Sequence, residues 1–262
     1  MLTIVTVNFN NRDGLVKTLH NINRYVEELP IKHVIIDGGS SDGSEEVILK
    51  YSKAKPKVRC IIERDNGIYH AMNKGIHMSN TVYVAFLNSG DTISDETFLI
   101  KILDKLESDK SIDIAYADVV FQKRSEQTRI WKAGQYSNIK LLLGWMPPHP
   151  MAIIRRSLIV DVGFFDESYK IAGDYDLFLR LFRNSKLNLY YAETIAVNME
   201  AGGASNSNLF AILYSNLEVM KSWFRLNGLL LPFWIFFTKP TSKLLQINWQ
   251  QTFRQICLWR KQ

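Results

Sequence analysis

The stretch that most constrains the fold runs from Val82 to Asp91 and reads VYVAFLNSGD. Its first six residues are apolar or aromatic, and the chain turns polar at Asn88. A continuous apolar run that ends in a turn signal is typical of a strand buried on both faces of a parallel sheet. The polar turn then lies at the carboxyl end of the strand, the edge where open α/β sheets hold their ligands. We therefore expect Asp91 to be presented at such an edge on a rigid support.

The first 91 residues repeat one pattern, in which a short apolar run ends in a polar loop and is followed by apolar residues at helical spacing. The apolar runs lie at 2–7, 33–36, 58–62 and 82–87, and further strand-like runs lie at 112–117, 119–122, 129–132 and 152–155. Alternation of strands and amphipathic helices predicts a parallel sheet with right-handed crossovers. We therefore predict an α/β fold with a mostly parallel, Rossmann-like sheet flanked by helices.

Polar side chains follow the first four predicted strands where each strand ends, namely Asn8, Asp37, Asp65 and Asp91. A single Asp after a strand is usually a turn or helix-cap residue. Four polar loops at one edge are harder to explain in this way. A nucleotide needs such acceptors for its ribose hydroxyls and base, and a metal for its phosphates. The set favours a nucleotide site in which Asp91 holds a divalent metal on a diphosphate.

The segment from Gly173 to Arg180, GDYDLFLR, contains two aspartates that helical spacing separates. Asp174 shares a face with the apolar residues that follow it, whereas Asp176 shares a face with Arg180 and Arg183 and is the natural partner in a solvated or structural ion pair. Two interpretations of Asp174 stay open. It is either the N-cap of a helix or a carboxylate projecting from the helix start as a general base.

Composition limits the cellular context more than the chemistry. The net charge of +6 suits anionic partners and equally a solvated basic surface. The two cysteines, Cys60 and Cys257, form no CxxC motif, which excludes a thiolate zinc site or a disulfide framework and suits a reducing compartment. No signal peptide is visible, and the longest apolar run, 229–237, is too short to span a bilayer as a helix. We expect a cytoplasmic protein.

Residues 206–262 have a helical pattern rich in tryptophan and basic residues. Such a segment suits peripheral contact with a membrane surface. The alternative is a helical cap that packs on the core or on a second subunit, which would make the protein a homo-oligomer.

In this order the motifs resemble those of glycosyltransferase family 2, inverting enzymes with the A-type nucleotide-diphospho-sugar transferase fold. The resemblance covers about residues 1–205, and its strength lies in the ordered set and not in any single motif. The motifs are TIVTVN at 3–8, IDGGSSDG at 36–43, ERDNGIY at 63–69, AMNKG at 71–75, LNSGD at 87–91 and DYDL at 174–177. The resemblance implies a nucleotide-binding half at 1–110, an acceptor-binding half at 111–205 and a helical C-terminal extension at 206–262.

The resemblance also implies residue roles. Asp174 would be the catalytic base, and Asp91 would bind Mn²⁺ or Mg²⁺. The implied nucleotide- and substrate-binding residues are Thr6, Asn8, Asp37, Asp65, Gly67, Asn73, Asn88, Ser89, Asp118 and His149. Two glycines depart from the family pattern, since many members carry an acid at the position of Gly90 and a Glu at the position of Gly173. Asn8 replaces a common aromatic residue.

The implied reaction is metal-dependent, hexosyltransferase-like transfer from a nucleotide-sugar donor to a glycan or lipid-linked sugar acceptor, in bacterial surface polysaccharide or glycan biosynthesis. It would take place at the inner face of the cytoplasmic membrane and involve no nucleic acid. Two alternatives stay open. A sugar-phosphate nucleotidyltransferase would be expected to carry a Gly-rich basic loop after the first strand, which the segment 8–14 is not. A non-catalytic nucleotide- or glycan-binding module is compatible with Gly90 and Gly173.

Overall fold

The computed structural model describes residues 1–95, 97–123, 126–183, 186–200 and 209–227. The strands are β1 (Leu2–Asn8), β2 (Ile31–Asp37), β3 (Val58–Ile62), β4 (Tyr83–Phe86), β5 (Thr92–Ile93), β6 (Ile114–Lys123), β7 (Glu126–Trp131), β8 (Ile153–Arg155) and β9 (Leu189–Glu200). The helices are α1 (Arg12–Glu28), α2 (Ser44–Ser52), α3 (Ile68–Met78), α4 (Phe98–Ser108), α5 (Asn138–Leu142), α6 (Arg156–Asp161), α7 (Gly173–Phe182) and α8 (Leu209–Asn227).

These strands form one sheet in the order β3-β2-β1-β4-β8-β6-β9-β5, and β7 pairs with β6. The first four strands are parallel. Their carboxyl ends therefore meet at one edge, as the alternating sequence pattern predicts. β4 is buried along its whole length, which confirms the prediction for the apolar run that ends at Leu87.

The second half of the sheet is mixed. β8 runs antiparallel to both β4 and β6, and β9 runs parallel to β6 but antiparallel to β5. The sequence patterns did not predict β5 or β9. β5 has only two residues, too few to show a period, and β9 is half-buried without regular alternation. The pairing of these two strands brings the end of β9 to the loop that follows β4.

Two apolar layers cover the sheet. The alternation of β4 sends Tyr83 and Ala85 toward the layer that contains α1 and α4, and Val84 and Phe86 toward the layer that contains α3 and α7. Burial of such side chains contributes about 1.5–3 kcal/mol each for the larger ones. The sheet edge is thus fixed from both faces, which gives its loops a rigid base.

The described part of the C-terminal extension, α8, packs on α7. Val219 and Trp223 are buried in the same layer as that helix, and the Trp223 indole donates a hydrogen bond to Tyr175 Oη at 2.8 Å. α8 therefore behaves as a cap on the core, one of the two options for residues 206–262. The apolar run at 229–237 lies outside the described residues, and the domain boundaries at 110 and 205 stay predictions. Among the described helices, none is long and apolar enough to cross a membrane.

Candidate active site

The ends of β1 and β2 are joined by a buried polar pair. Asn8 lies beside Asp37 in the parallel register, and its amide donates to the Asp37 carboxylate at 2.7 Å. The same carboxylate accepts hydrogen bonds from the backbone N–H groups of Gly39 and Ser40 at 3.1 and 2.8 Å, and from the Ser40 hydroxyl at 2.8 Å. Asp37 thus fixes the loop after β2. The buried Asn8 Oδ1 has no partner among the described residues and is the acceptor that a ligand can use.

The loop after β3 presents a second such oxygen. Asp65 Oδ1 is engaged by Lys74 Nζ at 2.6 Å and by His70 Nδ1 at 3.1 Å. Asp65 Oδ2 is buried without a partner in the described chain and faces Gly38 at the end of β2. Gly67, with φ +121°, then starts α3 in a conformation that L side chains rarely adopt. Unpaired acceptors therefore flank the end of β2 on both sides.

The loop after β4 is tied to α1. The Gly90 N–H donates to Gly14 O and to the Thr18 hydroxyl, each at 3.0 Å, and that hydroxyl in turn donates to Asp91 O at 2.8 Å. Asn88 Oδ1 and Ser89 Oγ are buried atoms that lack a partner within the described residues. The loop thus has a fixed backbone and side-chain oxygens left for a ligand.

Asp91 is 6% exposed. The pKa of its carboxyl is raised to about 7, mainly by burial and to a smaller extent by the Glu200 carboxylate, while the Glu200 backbone N–H and Lys17 oppose this rise. A carboxyl in such surroundings gains from a nearby cation, which stabilises its charged form. Among the described residues no group of three or more His, Cys, Asp or Glu is placed to hold a metal ion. The donor set still fits Mg²⁺ or Mn²⁺, since Mg²⁺ is usually bound through one or two carboxylates together with substrate phosphates and water.

Asp174 lies inside the first turn of α7 and is not its cap, because Ala172 occupies the N-cap position. Its carboxylate is half-buried and accepts the Tyr175 N–H at 2.8 Å. The N-cap interpretation of Asp174 is therefore wrong, and the acid sits where the helix dipole favours its charged form. Asp176, two residues on, is fully buried and pairs with Arg180 at 2.8 Å, as predicted, and also with Arg225 of α8 at 2.9 Å.

The segment leading into α7 is held by a carboxylate from α8. Glu218 accepts the backbone N–H groups of Lys170, Ile171 and Ala172 at 2.7, 2.9 and 2.8 Å. Charge-assisted hydrogen bonds of this kind are stronger than neutral ones. The position of Asp174 therefore depends on a residue in the C-terminal extension.

Tyr69, at the start of α3, also holds this segment. Its hydroxyl donates to Ile171 O at 2.7 Å and accepts the Gly173 N–H at 2.8 Å. Burial, reinforced by the Asp174 charge, raises the pKa of Tyr69, so the phenol stays protonated. A Cβ on Gly173 would lie 2.7 Å from the Tyr69 ring, which explains why this chain has a glycine here.

His149 connects α7 to the end of β4. Its ring stacks on Phe86 with a centroid distance of 5.0 Å and meets Phe178 of α7 at 6.4 Å. The ring is buried, both its nitrogens lack a hydrogen-bond partner in the described structure, and burial lowers its pKa to about 4. The histidine therefore stays neutral near pH 7, as one of the aromatic residues between the two parts of the site.

Three predicted binding residues are engaged by the protein itself. The Thr6 hydroxyl is fully buried and hydrogen-bonds to His33 Nε2 at 2.9 Å. Asn73 donates to Phe165 O and Glu167 Oε1 and accepts the Phe165 N–H. Asp118 Oδ1 accepts the Ala133 N–H and the Tyr191 hydroxyl. The geometry gives each of these side chains a structural contact, and their binding roles stay predictions.

Two carboxylates with a place in the site were missed by sequence reasoning, Glu200 and Glu218. Both lie far along the chain from the loops they contact, and neither belongs to a local motif. Tyr69 belongs to the motif at 63–69, but the motif does not predict its contact with the segment before α7. Residue spacing identifies only neighbours on the same helix or strand. Contacts between distant elements therefore have no signal in a single sequence.

Comparison with known proteins places these features in a family. A "PGL/p-HBAD biosynthesis glycosyltransferase" from Mycobacterium bovis (strain BCG / Pasteur 1173P2) is 28% identical over 177 residues, which cover 66% of this chain and 67% of that protein. S. aureus TarS 1–349 in complex with UDP-GlcNAc has a TM-score of 0.62 at 15% identity, covering 87% of this chain and 74% of that chain. In the structure of the longer TarS chain the match spans only 43% of its length.

The mannosyltransferase PcManGT from Pyrobaculum calidifontis, in complex with GDP-Man and Mn²⁺, also has a TM-score of 0.62, at 14% identity, covering 92% of this chain and 73% of that chain. At these identities the likeness concerns the fold, and it confirms the predicted fold class. The profile described as Glycosyl transferase family 2 matches residues 3–165. Since this match covers more than half of the chain, the protein belongs to glycosyl transferase family 2.

Proposed function

We propose that the protein transfers a sugar, with inversion, from a nucleotide-sugar to an acceptor hydroxyl. The observation that carries the proposal is the set of contacts that connects the segment of Asp174 to the loops near Asp91. Tyr69 hydrogen-bonds to the segment before Asp174, and His149 packs between β4, which leads to Asp91, and α7. The start of α7 is therefore held against the loops at the carboxyl edge of the sheet. Relatives solved with UDP-GlcNAc and with GDP-Man support a nucleotide-sugar as donor.

The nucleotide is bound at the ends of β1 to β3. Asn8 Oδ1 and Asp65 Oδ2 are buried acceptors without partners in the described chain, and they accept hydrogen bonds from a base N–H or a ribose hydroxyl. An unpaired buried acceptor costs about 1–3 kcal/mol, so a donor that satisfies it gains a corresponding preference. Asp37 supports this site by holding Asn8 and the loop after β2.

Asp91 holds a divalent cation on the donor diphosphate. When bound, Mn²⁺ or Mg²⁺ neutralises the charge that develops on the departing nucleoside diphosphate. PcManGT, solved with Mn²⁺, supports the choice of cation. Asn88 and Ser89, in the same loop, offer neutral side-chain oxygens to the bound donor.

Asp174 acts as the general base for the acceptor. Its half-buried carboxylate is fixed by the Tyr175 N–H and by the held segment before it. Proton removal by a positioned base typically contributes about 10²–10⁴ in rate. Attack from the face opposite the departing diphosphate inverts the anomeric carbon.

A product assay tests the reaction class. The protein is incubated with Mn²⁺ and a panel of uridine and guanosine diphosphate sugars, and the released phosphate species are separated. Sugar transfer or donor hydrolysis releases a nucleoside diphosphate, which is the expected product. Release of pyrophosphate would instead identify a nucleotidyltransferase, and binding without turnover of any donor would favour a non-catalytic module.

The acceptor side includes a membrane surface in this proposal. Phe210, Leu213 and Leu217 are exposed on α8 at helical spacing, Phe210 at 82%, and an apolar stripe of this kind lies in the interface of a membrane. Such contact would place the active site next to a lipid-linked sugar acceptor.

Flotation with anionic phospholipid vesicles tests this part of the proposal. Phe210→Ser with Leu217→Ser should abolish vesicle binding, whereas Ile100→Ser, which changes an exposed apolar residue of α4, should not. Vesicle binding that is unaffected by the α8 changes would contradict the membrane role. Loss of a dimer in the same variant would show that the stripe contacts a second copy of the chain instead.

A further inference from the structure

The loop after β4 faces a carboxylate from the far end of the chain. Gly90 has φ +100°, and a Cβ placed on it would lie 3.4 Å from Glu200 Oε2 and 3.9 Å from Glu200 Cβ. β5 pairs antiparallel with β9, with Thr92 opposite Asn198, so Gly90 and Glu200 each lie two residues beyond this last pair. The Glu200 carboxylate therefore lies directly beside the point where a side chain at position 90 would begin.

Glu200 also contacts Asp91 directly. Its backbone N–H donates a hydrogen bond to the Asp91 carboxylate. Among the described residues the Glu200 carboxylate forms no ion pair. Two like charges beside one buried loop are unfavourable unless a cation lies between them. The side-chain oxygens Asn88 Oδ1 and Ser89 Oγ in the same loop lack partners in the described chain.

We infer that Glu200 supplies the second carboxylate of the cation site at Asp91, in place of the acid that position 90 lacks. The inference rests on the proposed function. Two carboxylates, with the diphosphate and water, form a normal ligand set for Mg²⁺ or Mn²⁺. The backbone explains why the acid comes from β9. An acid at position 90 would require a left-handed conformation that disfavours side chains.

Mn²⁺ binding tests the inference without measuring turnover. Free Mn²⁺ is followed by electron paramagnetic resonance during titration with protein, in the presence of UDP or GDP. Glu200→Gln should weaken Mn²⁺ binding by at least about 10-fold, the lower end of losses seen when groups around a metal site are removed. Glu193→Gln is the matched control, because it removes the same charge from an exposed position on the same strand, and it should bind Mn²⁺ like the wild type.

A rescue experiment places the charge back at position 90. In the Glu200→Gln background, Gly90→Asp should recover part of the Mn²⁺ affinity, whereas Gly90→Asn should not. Both changes impose the same backbone strain, so their difference reports the carboxylate alone. Thermal unfolding of each variant verifies that it is folded.

The outcomes separate this inference from the proposed function. If Asp91→Asn loses Mn²⁺ but Glu200→Gln binds it like the wild type, the role of Glu200 is refuted and the cation site at Asp91 stands. If the wild type itself binds no Mn²⁺ with either diphosphate, both the inference and the metal-dependent part of the proposed function fail.

Discussion

The loop that carries Asp91 and the turn that carries Asp174 each place an acid beside a glycine, but they are held in different ways. The loop after β4 is held mainly by backbone groups and by Thr18 of the adjacent helix. The segment before α7 is held by side chains from distant elements, Tyr69 of α3 and Glu218 of α8. The first acid is buried, whereas the second is half-buried.

This difference fits two kinds of chemistry. A cation and a diphosphate need a rigid, charged pocket, which a sheet edge provides. A base that must meet an acceptor needs access to it and a precise orientation, which side-chain contacts can provide. Substitutions should therefore separate the two regions, and the following expectations are ordered from the largest effect to the smallest.

Replacing the proposed base should affect only the α7 region. Asp174→Asn should lower turnover by about 10²–10⁴, the usual contribution of a general base. The affinity for nucleoside diphosphate, measured by calorimetry, should stay near that of the wild type. Asp161→Asn, at an exposed position in α6, is the control. Turnover near the wild-type value in Asp174→Asn would contradict its role as the base.

Asp176, two residues from the proposed base, should affect the stability of the fold. Asp176→Asn leaves Arg180 and Arg225 without their shared partner, and the loss of one member of a buried pair costs about 3–5 kcal/mol. The Arg225 side chain is 41% exposed, so we expect the lower end of this range. The free energy of unfolding, measured in urea, should fall by about 3 kcal/mol. Asp104→Asn on the exposed face of α4 should change little. A decrease in unfolding free energy of less than about 1 kcal/mol would show that the Asp176 ion pairs are as weak as those on a protein surface.

His149 lies between the two regions and should make the fold sensitive to acid. Its pKa is lowered from 6.5 to about 4 in the folded protein, so below pH 6.5 the unfolded chain binds a proton that the folded chain does not. Stability should fall as the pH drops from 6.5 toward 4, by about 1.4 kcal/mol per pH unit for this residue.

Unfolding in urea across that pH range measures the effect. His149→Phe keeps an aromatic ring between Phe86 and Phe178. It should reduce the slope of unfolding free energy against pH by about 1.4 kcal/mol per pH unit, the contribution of one proton. The buried His33, whose pKa is also lowered, should contribute to the slope in the same direction, and Asp91, whose pKa is raised to about 7, in the opposite direction. His20→Gln, at an exposed position, should leave the slope as it is. An unchanged slope in His149→Phe would show that this ring does not resist protonation.

The smallest effect should come from the support of the α7 segment. Glu218→Gln keeps the shape of the side chain but removes the charge that three backbone N–H groups share, and we expect turnover to fall about 10-fold through misplacement of Asp174. The affinity for nucleoside diphosphate should not change. Leu217→Ala, at an exposed neighbouring position on α8, is the control. Turnover is measured as donor hydrolysis, with water as the acceptor, and should stay at the wild-type value in this variant. An equal loss of nucleotide affinity would show that Glu218 supports the whole fold and not this segment.

Sequence patterns predicted those parts of the fold whose signal is local. The parallel strands β1 to β4 and their helices follow from apolar periodicity, and the pair Asp176–Arg180 follows from helical spacing. Thr6 shows what such patterns leave out, because the motif gives no sign that the Thr6 hydroxyl is hydrogen-bonded to the buried His33. β5 and β9 have no periodic signal, so the strand pairing that brings Glu200 to Gly90 could not be predicted.

The sequence by itself determined which acids lie at the strand ends and which family the chain resembles, because both follow from the order of short local patterns. Only the tertiary structure decided which oxygens remain unpaired, why Asp91 has a raised pKa, and which distant side chains hold Asp174. Burial and electrostatic interactions depend on groups brought together from the whole chain, as Glu200 and Glu218 show, and their position in the sequence does not reveal the neighbours they meet.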